Sequence, residues 1–155
     1  MNRLLQGDVG SGKTVIAALA IAIIAQSGSQ SAIMAPTSIL ADQHYRTMLR
    51  LLAEPTPDQG EPSLHPANIR LLVGDTPEAE KVEIRQGLAD GSIKLLIGTH
   101  ALIEDPVTFA DLQFAVVDEQ HRFGVAQRAL LRQKGDNPHL LVMTATPIPR
   151  TLVLT

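Results

Sequence analysis

Eight residues near the start of the chain, Gly7-Asp8-Val9-Gly10-Ser11-Gly12-Lys13-Thr14, have the spacing G-x-x-x-x-G-K-[ST]. Glycines at that spacing let backbone N–H groups close around a phosphate. A helix starting directly afterwards adds its positive N-terminal end. Lys13 is placed to reach the β- and γ-phosphates, and the Thr14 hydroxyl to bind Mg²⁺. The turn lies between a short apolar run and a longer one, which predicts a strand before it and a helix after it.

A second stretch, Phe114-Ala115-Val116-Val117-Asp118-Glu119-Gln120-His121, is an apolar run that ends in two carboxylates. An Asp at the end of a buried strand can hold the Mg²⁺ that Thr14 also ligates. The adjacent Glu119, turned elsewhere by strand alternation, can polarise an attacking water. On its own such a pair is commonly a solvated turn; beside a phosphate turn it predicts a hydrolysis site, because metal and water then both have residues. Met143-Thr144-Ala145-Thr146-Pro147 ends the last apolar run. Its hydroxyls either hydrogen-bond the carboxylate site and sense its state or cap a following helix. Pro36-Thr37 and Gly98-Thr99-His100 also follow apolar runs. They offer small polar groups and backbone N–H to the phosphates of a nucleic-acid strand, or else form ordinary turns and caps. With no Trp, one Tyr and three Phe in the chain, a base-stacking platform is not expected. A strand bound here would be held by its backbone, independently of sequence.

These groups need a scaffold that gathers them. Arg3–Gln6, Ser31–Ala35, Ile69–Val73, Lys94–Gly98, Phe114–Asp118 and His139–Thr144 read as strands, mostly without polar alternation, as in a parallel sheet buried on both faces. Helices are predicted over Lys13–Gln26, stopped by Gly28, over Ile39–Leu52 with Ala41, Tyr45, Met48, Leu49 and Leu52 on one face, over Glu78–Asp90 after a Thr76-Pro77 cap, and over Gly124–Gln133. Alternating strands and helices imply an α/β fold, a doubly wound, mostly parallel sheet with helices on both faces. Ligands in such folds bind beyond the carboxyl ends of the strands, where every motif above falls. Glu54–Asn68 holds four of the ten prolines and reads as an exposed loop with little to pack.

The bulk composition narrows the function. A chain of 155 residues, 45% apolar and 19% charged, fits one globular domain. The absence of cysteine excludes disulfides and thiolate metal sites and fits a reducing cytoplasm. The five histidines (His44, His65, His100, His121, His139) show no metal-ligand spacing, so zinc is not expected. Val15–Ala25 is too short an apolar run to span a bilayer and reads as a buried helix. With a formal net charge of −3, any nucleic-acid contact must come from local groups. An apolar run two residues after Met1, and a helical pattern still open at Thr155, lead us to expect part of a longer protein.

In their order along the chain these motifs resemble the first RecA-like motor domain of the superfamily 2 helicases. The strings RLLQGDVGSGKTV, MAPTSILADQHY, IGTHALI, DEQHRFGVAQR and VMTATPIPRTL resemble in particular the members that remodel branched DNA at stalled replication forks and Holliday junctions. The resemblance implies a RecA-like P-loop NTPase domain over residues 1–155, with ATP and Mg²⁺ as cofactors and DNA as partner. It implies that Gln120 and His121 lie near the γ-phosphate and a partner domain, and that Thr144, Ala145 and Thr146 couple hydrolysis to movement on DNA. In that family an adenine-reading segment and a DNA-binding wedge lie upstream, and a second RecA-like domain carries an arginine finger. The isolated chain is therefore expected to be nearly inactive. Other readings are a related superfamily 2 translocase such as the transcription-repair coupling factor, a P-loop nucleotide switch or small-molecule kinase without a nucleic-acid substrate, and a fragment that binds without turnover.

Overall fold

A computed structural model describes residues 2–6, 13–54, 64–104, 107–118, 133–134 and 138–144. Among these, six strands form one sheet: β1 (Asn2–Gln6), β2 (Gln30–Met34), β3 (Ile69–Leu72), β4 (Leu95–Gly98), β5 (Leu112–Asp118) and β6 (His139–Thr144). Their order across the sheet is β1-β6-β5-β2-β4-β3, and every neighbouring pair is parallel. All strands therefore end on the same edge. β2 and β4 are buried along their whole length, as continuous apolar runs require when helices cover both faces.

The two faces carry separate cores. On one, Ile33, Ile97, Val116 and Met143 pack with α1 (Lys13–Gln26) and α2 (Ser38–Met48). On the other, Met34, Leu96, Val117 and Val142 pack with α3 (Glu78–Asp90) and α4 (Ala101–Glu104). Neighbours along a strand point to opposite faces, so Asp118, after Val117, belongs to the α1–α2 face. The doubly wound sheet is as predicted.

Helix ends follow local chemistry. Gly28 beyond α1 and Gly91 at the end of α3 both have φ 86°, a backbone that glycine adopts without the Cβ penalty. Thr37 caps α2, its Oγ1 accepting from the Leu40 N–H at 3.2 Å, which satisfies one orphan donor of the first turn.

Several expectations are corrected. Thr76 does not cap α3: Pro77 holds the cap position, and the Thr76 hydroxyl turns back to accept from Val73 N–H at 3.0 Å. The helix predicted to Leu52 is α-helical only to Met48 and continues as a π-helical turn over Leu49–Ala53. β2 begins and ends one residue earlier than expected, and β5 starts at Leu112. The stretch Glu54–Asn68 is not wholly without packing: Leu64 is buried, its N–H bonds to the Leu52 carbonyl at 2.9 Å, and Pro66–Asn68 form a 3₁₀ turn leading into β3. The apolar helix α1 is buried along one stripe only, Ala17, Ala18 and Ile21. Val15, Ile16, Leu19 and Ile23 remain 48–66% exposed, because one sheet face covers one side of a helix. The helix expected over 124–133 lies outside the described residues except at its last position. No helix among the described residues is long and apolar enough to cross a membrane.

Two buried features tie the sheet together. Gln30, 1% exposed, donates from Nε2 to the Leu88 and Ile93 carbonyls at 3.0 and 2.8 Å and accepts from the Asp111 N–H at 2.8 Å. A buried amide is stable only when so satisfied. At the opposite end, Gly98 closes β4 against β3, and a Cβ there would run into the backbone carbonyl of Leu72. Backbone cannot swing aside as a side chain does, so Gly98→Ala is expected to destabilise the fold by about 1–3 kcal/mol. Urea unfolding should register it as a lowered midpoint at unchanged slope; an unshifted midpoint would mean that β3 and β4 can part freely.

Candidate functional site

Those of the predicted residues that are described lie at the carboxyl edge of the sheet. β1 ends at Gln6, directly before the glycine motif in sequence, and Lys13 is the first residue of α1. Thr14 is half-buried and stands three, four and seven residues before the buried Ala17, Ala18 and Ile21, so it shares their sheet-facing stripe. Asp118 ends β5 on that same face. β6 separates β1 from β5 in the sheet, with Gln6 opposite Thr144 and Asp118 opposite Met143. The remaining residues of the glycine turn (Gly7, Asp8, Val9, Gly10, Ser11, Gly12) lie outside the described residues. So do Glu119, Gln120, His121, Ala145 and Thr146.

One oxygen of Asp118 is already engaged. His44, in the second turn of α2, places Nε2 2.7 Å from Asp118 Oδ2, and each side chain is 14% exposed. An ionised carboxylate only accepts, so Nε2 carries the proton and donates. The sequence reading passed over His44 as one of five scattered histidines. Its signal lay in helical spacing: three residues after Ala41 and four before Met48, both fully buried, His44 sits on the inward stripe, where a polar group needs a partner.

Farther along the edge a second set meets. Pro36, Thr37, Thr99 and His100 line an open cavity of about 360 Å³ together with Ser38, Gly74 and Asp75. Two predicted segments more than sixty residues apart thus share one groove. The β2–β4 pairing that joins them continues past the strands, where Ala35 N–H donates to the Gly98 carbonyl at 2.8 Å. Gly98 itself is buried; its small size serves the approach of β3. Ser38, Gly74 and Asp75 were not anticipated, because nothing local in the sequence brings the turn after β3 beside the start of α2. Among the described residues, the groove's polar groups are hydroxyls, an imidazole and the first turn of α2, and its one carboxylate is Asp75.

Asp118 and Thr14 supply a carboxylate and a hydroxyl, the hard oxygen donors that Mg²⁺ takes. Both belong to the α1–α2 face of the sheet, at its carboxyl edge. With Oδ2 held by His44, Oδ1 is the Asp118 oxygen left to a cation. The donor set fits Mg²⁺.

The chain is similar to known proteins over its whole length. The chain is 53% identical over 155 residues to the ATP-dependent DNA helicase RecG of Streptococcus pneumoniae, covering 100% of this chain and 21% of that protein. It is 52% identical over 158 residues to RecG of Synechocystis, covering 100% of this chain and 17% of the relative. It therefore spans about a fifth of the length of these relatives. Among solved structures, that of RecG bound to a three-way DNA junction superposes with a TM-score of 0.79 at 48% identity, over 99% of this chain and 19% of that one. A family model described as DEAD/DEAH box helicase matches residues 1–154; with six parallel strands in one sheet among the described residues, the chain belongs to the DEAD/DEAH box helicase family.

Proposed function

We propose that this chain is the ATP-binding and ATP-hydrolysing half of a DNA helicase or translocase that remodels branched DNA in recombination and repair. The observation that carries the proposal is the shared sheet edge. Asp118 and the start of α1 stand at one part of it, and the groove of Pro36, Thr37, Thr99 and His100 at another. A nucleotide switch or small-molecule kinase has use for the first but not the second. The 48% identity to a RecG solved on a three-way junction supports branched DNA as the substrate class.

In this reading Gly7 to Thr14 wrap the phosphates of ATP, and Lys13 neutralises the β- and γ-phosphate charge. Thr14 and Asp118 hold Mg²⁺, which when bound offsets the negative charge of the transferring phosphoryl group. Glu119 orients and deprotonates the attacking water, with Gln120 and His121 beside the γ-phosphate. Pro36, Thr37, Thr99 and His100 guide the DNA backbone, and Thr144, Ala145 and Thr146 relay the state of the nucleotide. A wedge domain and a second RecA-like domain of the same longer protein complete the motor. Movement needs two bodies whose gap opens and closes with the nucleotide.

The test is ATP turnover by the full-length protein with no DNA, with linear duplex and with a three-way junction, alongside unwinding of the junction. Turnover should rise with DNA, most with the junction. Turnover indifferent to all three would favour the switch and overturn the proposal.

A further inference from the structure

The contact between His44 and Asp118 joins α2 to the end of β5. α2 is pinned at both ends of its inward stripe: Thr37 caps its start, and Ala41 and Met48 are fully buried. That fixes the rotation of the helix and sends the side chain at position 44 toward the end of β5. Its Nε2 meets Oδ2 of Asp118 at 2.7 Å, in a setting where both groups are 14% exposed. Little water is left there to compete for the bond, and a hydrogen bond to a carboxylate is among the stronger kinds.

A carboxylate on two single bonds can swing and roll. Held at one oxygen by a rigid helix, it can do neither, and the direction of its other oxygen is set before any cation arrives. We infer that His44 is the positioning residue of the site: it grips Oδ2 of Asp118, so that Oδ1 is presented in one orientation as a single-oxygen ligand for the divalent cation of the nucleotide. This inference rests on the proposal that Asp118 holds that cation. Groups that hydrogen-bond metal-ligating side chains contribute to affinity by such orientation, and removing one costs about 10–100-fold in metal affinity or activity. The same helix opens at the groove, with Thr37 and Ser38 lining it. His44 therefore ties the cation ligand to the element that lines the proposed DNA path.

The experiment measures binding of Mn²⁺, as a spectroscopic substitute for Mg²⁺, to the full-length protein with ADP bound, by the loss of the free-ion electron paramagnetic resonance signal. Four variants are compared: Asp118→Asn, His44→Ala, His44→Gln and His44→Asn. A glutamine amide nitrogen reaches about as far along its side chain as Nε2 of histidine, whereas that of asparagine falls short. Asp118→Asn and His44→Ala should each weaken Mn²⁺ binding by about tenfold or more. His44→Gln should bind close to wild type, and His44→Asn should fall with alanine. A role in packing alone would change the thermal midpoint without this order in metal affinity. If Asp118→Asn weakens binding but His44→Ala does not, the positioning role is overturned while the cation site stands. If Asp118→Asn binds as wild type, the cation reading fails and the positioning role with it. Should His44→Ala not fold, the glutamine and asparagine variants decide: equal affinity in the two overturns the inference.

Discussion

Replacing Lys13 by alanine is expected to abolish nucleotide binding while leaving the fold in place. Lys13 is the first residue of α1 and directly follows the glycine motif in sequence. The helix is anchored by Ala17, Ala18 and Ile21, buried one to two turns further on. ATP brings several negative charges into a turn where the backbone N–H groups carry only partial positive charge. The ammonium of Lys13 is the full charge that the motif aims at the β- and γ-phosphates. Losing one charge-stabilising group of this kind costs about 10²–10³ in rate, and here the ground state loses it as well. Calorimetry with a non-hydrolysable ATP analogue should show no measurable heat, while circular dichroism stays that of the wild type. Unchanged affinity in the variant would mean that the glycine turn does not hold phosphate.

Glu119→Gln should separate binding from chemistry. The amide is nearly isosteric with the carboxylate, so ATP and its cation should still bind. It cannot take a proton from water, and losing a general base costs about 10²–10⁴ in rate. The variant should therefore hold ATP unhydrolysed, visible as a stable ATP complex on rapid filtration and as turnover reduced by at least a hundredfold. Asp118→Asn should behave differently, losing cation affinity first, because Asp118 is the residue held on the α1–α2 face by His44. Turnover near wild type in Glu119→Gln would place the base elsewhere and leave Glu119 a solvated turn residue.

Neighbouring residues made much of this architecture legible. The unbroken apolar run of Leu95–Gly98 is a strand buried along its length. Gly28 and Gly91 end helices where a left-handed backbone was needed. Misreadings came where a local rule had two outcomes. Thr76 before a proline could cap α3 or turn back on Val73, and the turn back prevailed because Pro77 took the cap position. The apolar helix α1 had no polar face to mark its outer side, so composition suggested burial all round where only one stripe is covered.

By itself, then, the sequence determined the alternating parallel sheet, the start of α1 at Lys13 and the carboxylate at the end of β5. Each depends on residues within a few positions of one another, where periodicity and turn chemistry act. The tertiary structure alone decided which distant groups meet: His44 with Asp118, 74 residues away, Thr37 with Thr99 across one groove, and Gln30 with Leu88, Ile93 and Asp111 in the core. The reason is physical. Period two says which face of a sheet a side chain takes, but strand order says what lies beside it. The order β1-β6-β5-β2-β4-β3 arises from packing between elements far apart in the chain, which no local pattern encodes.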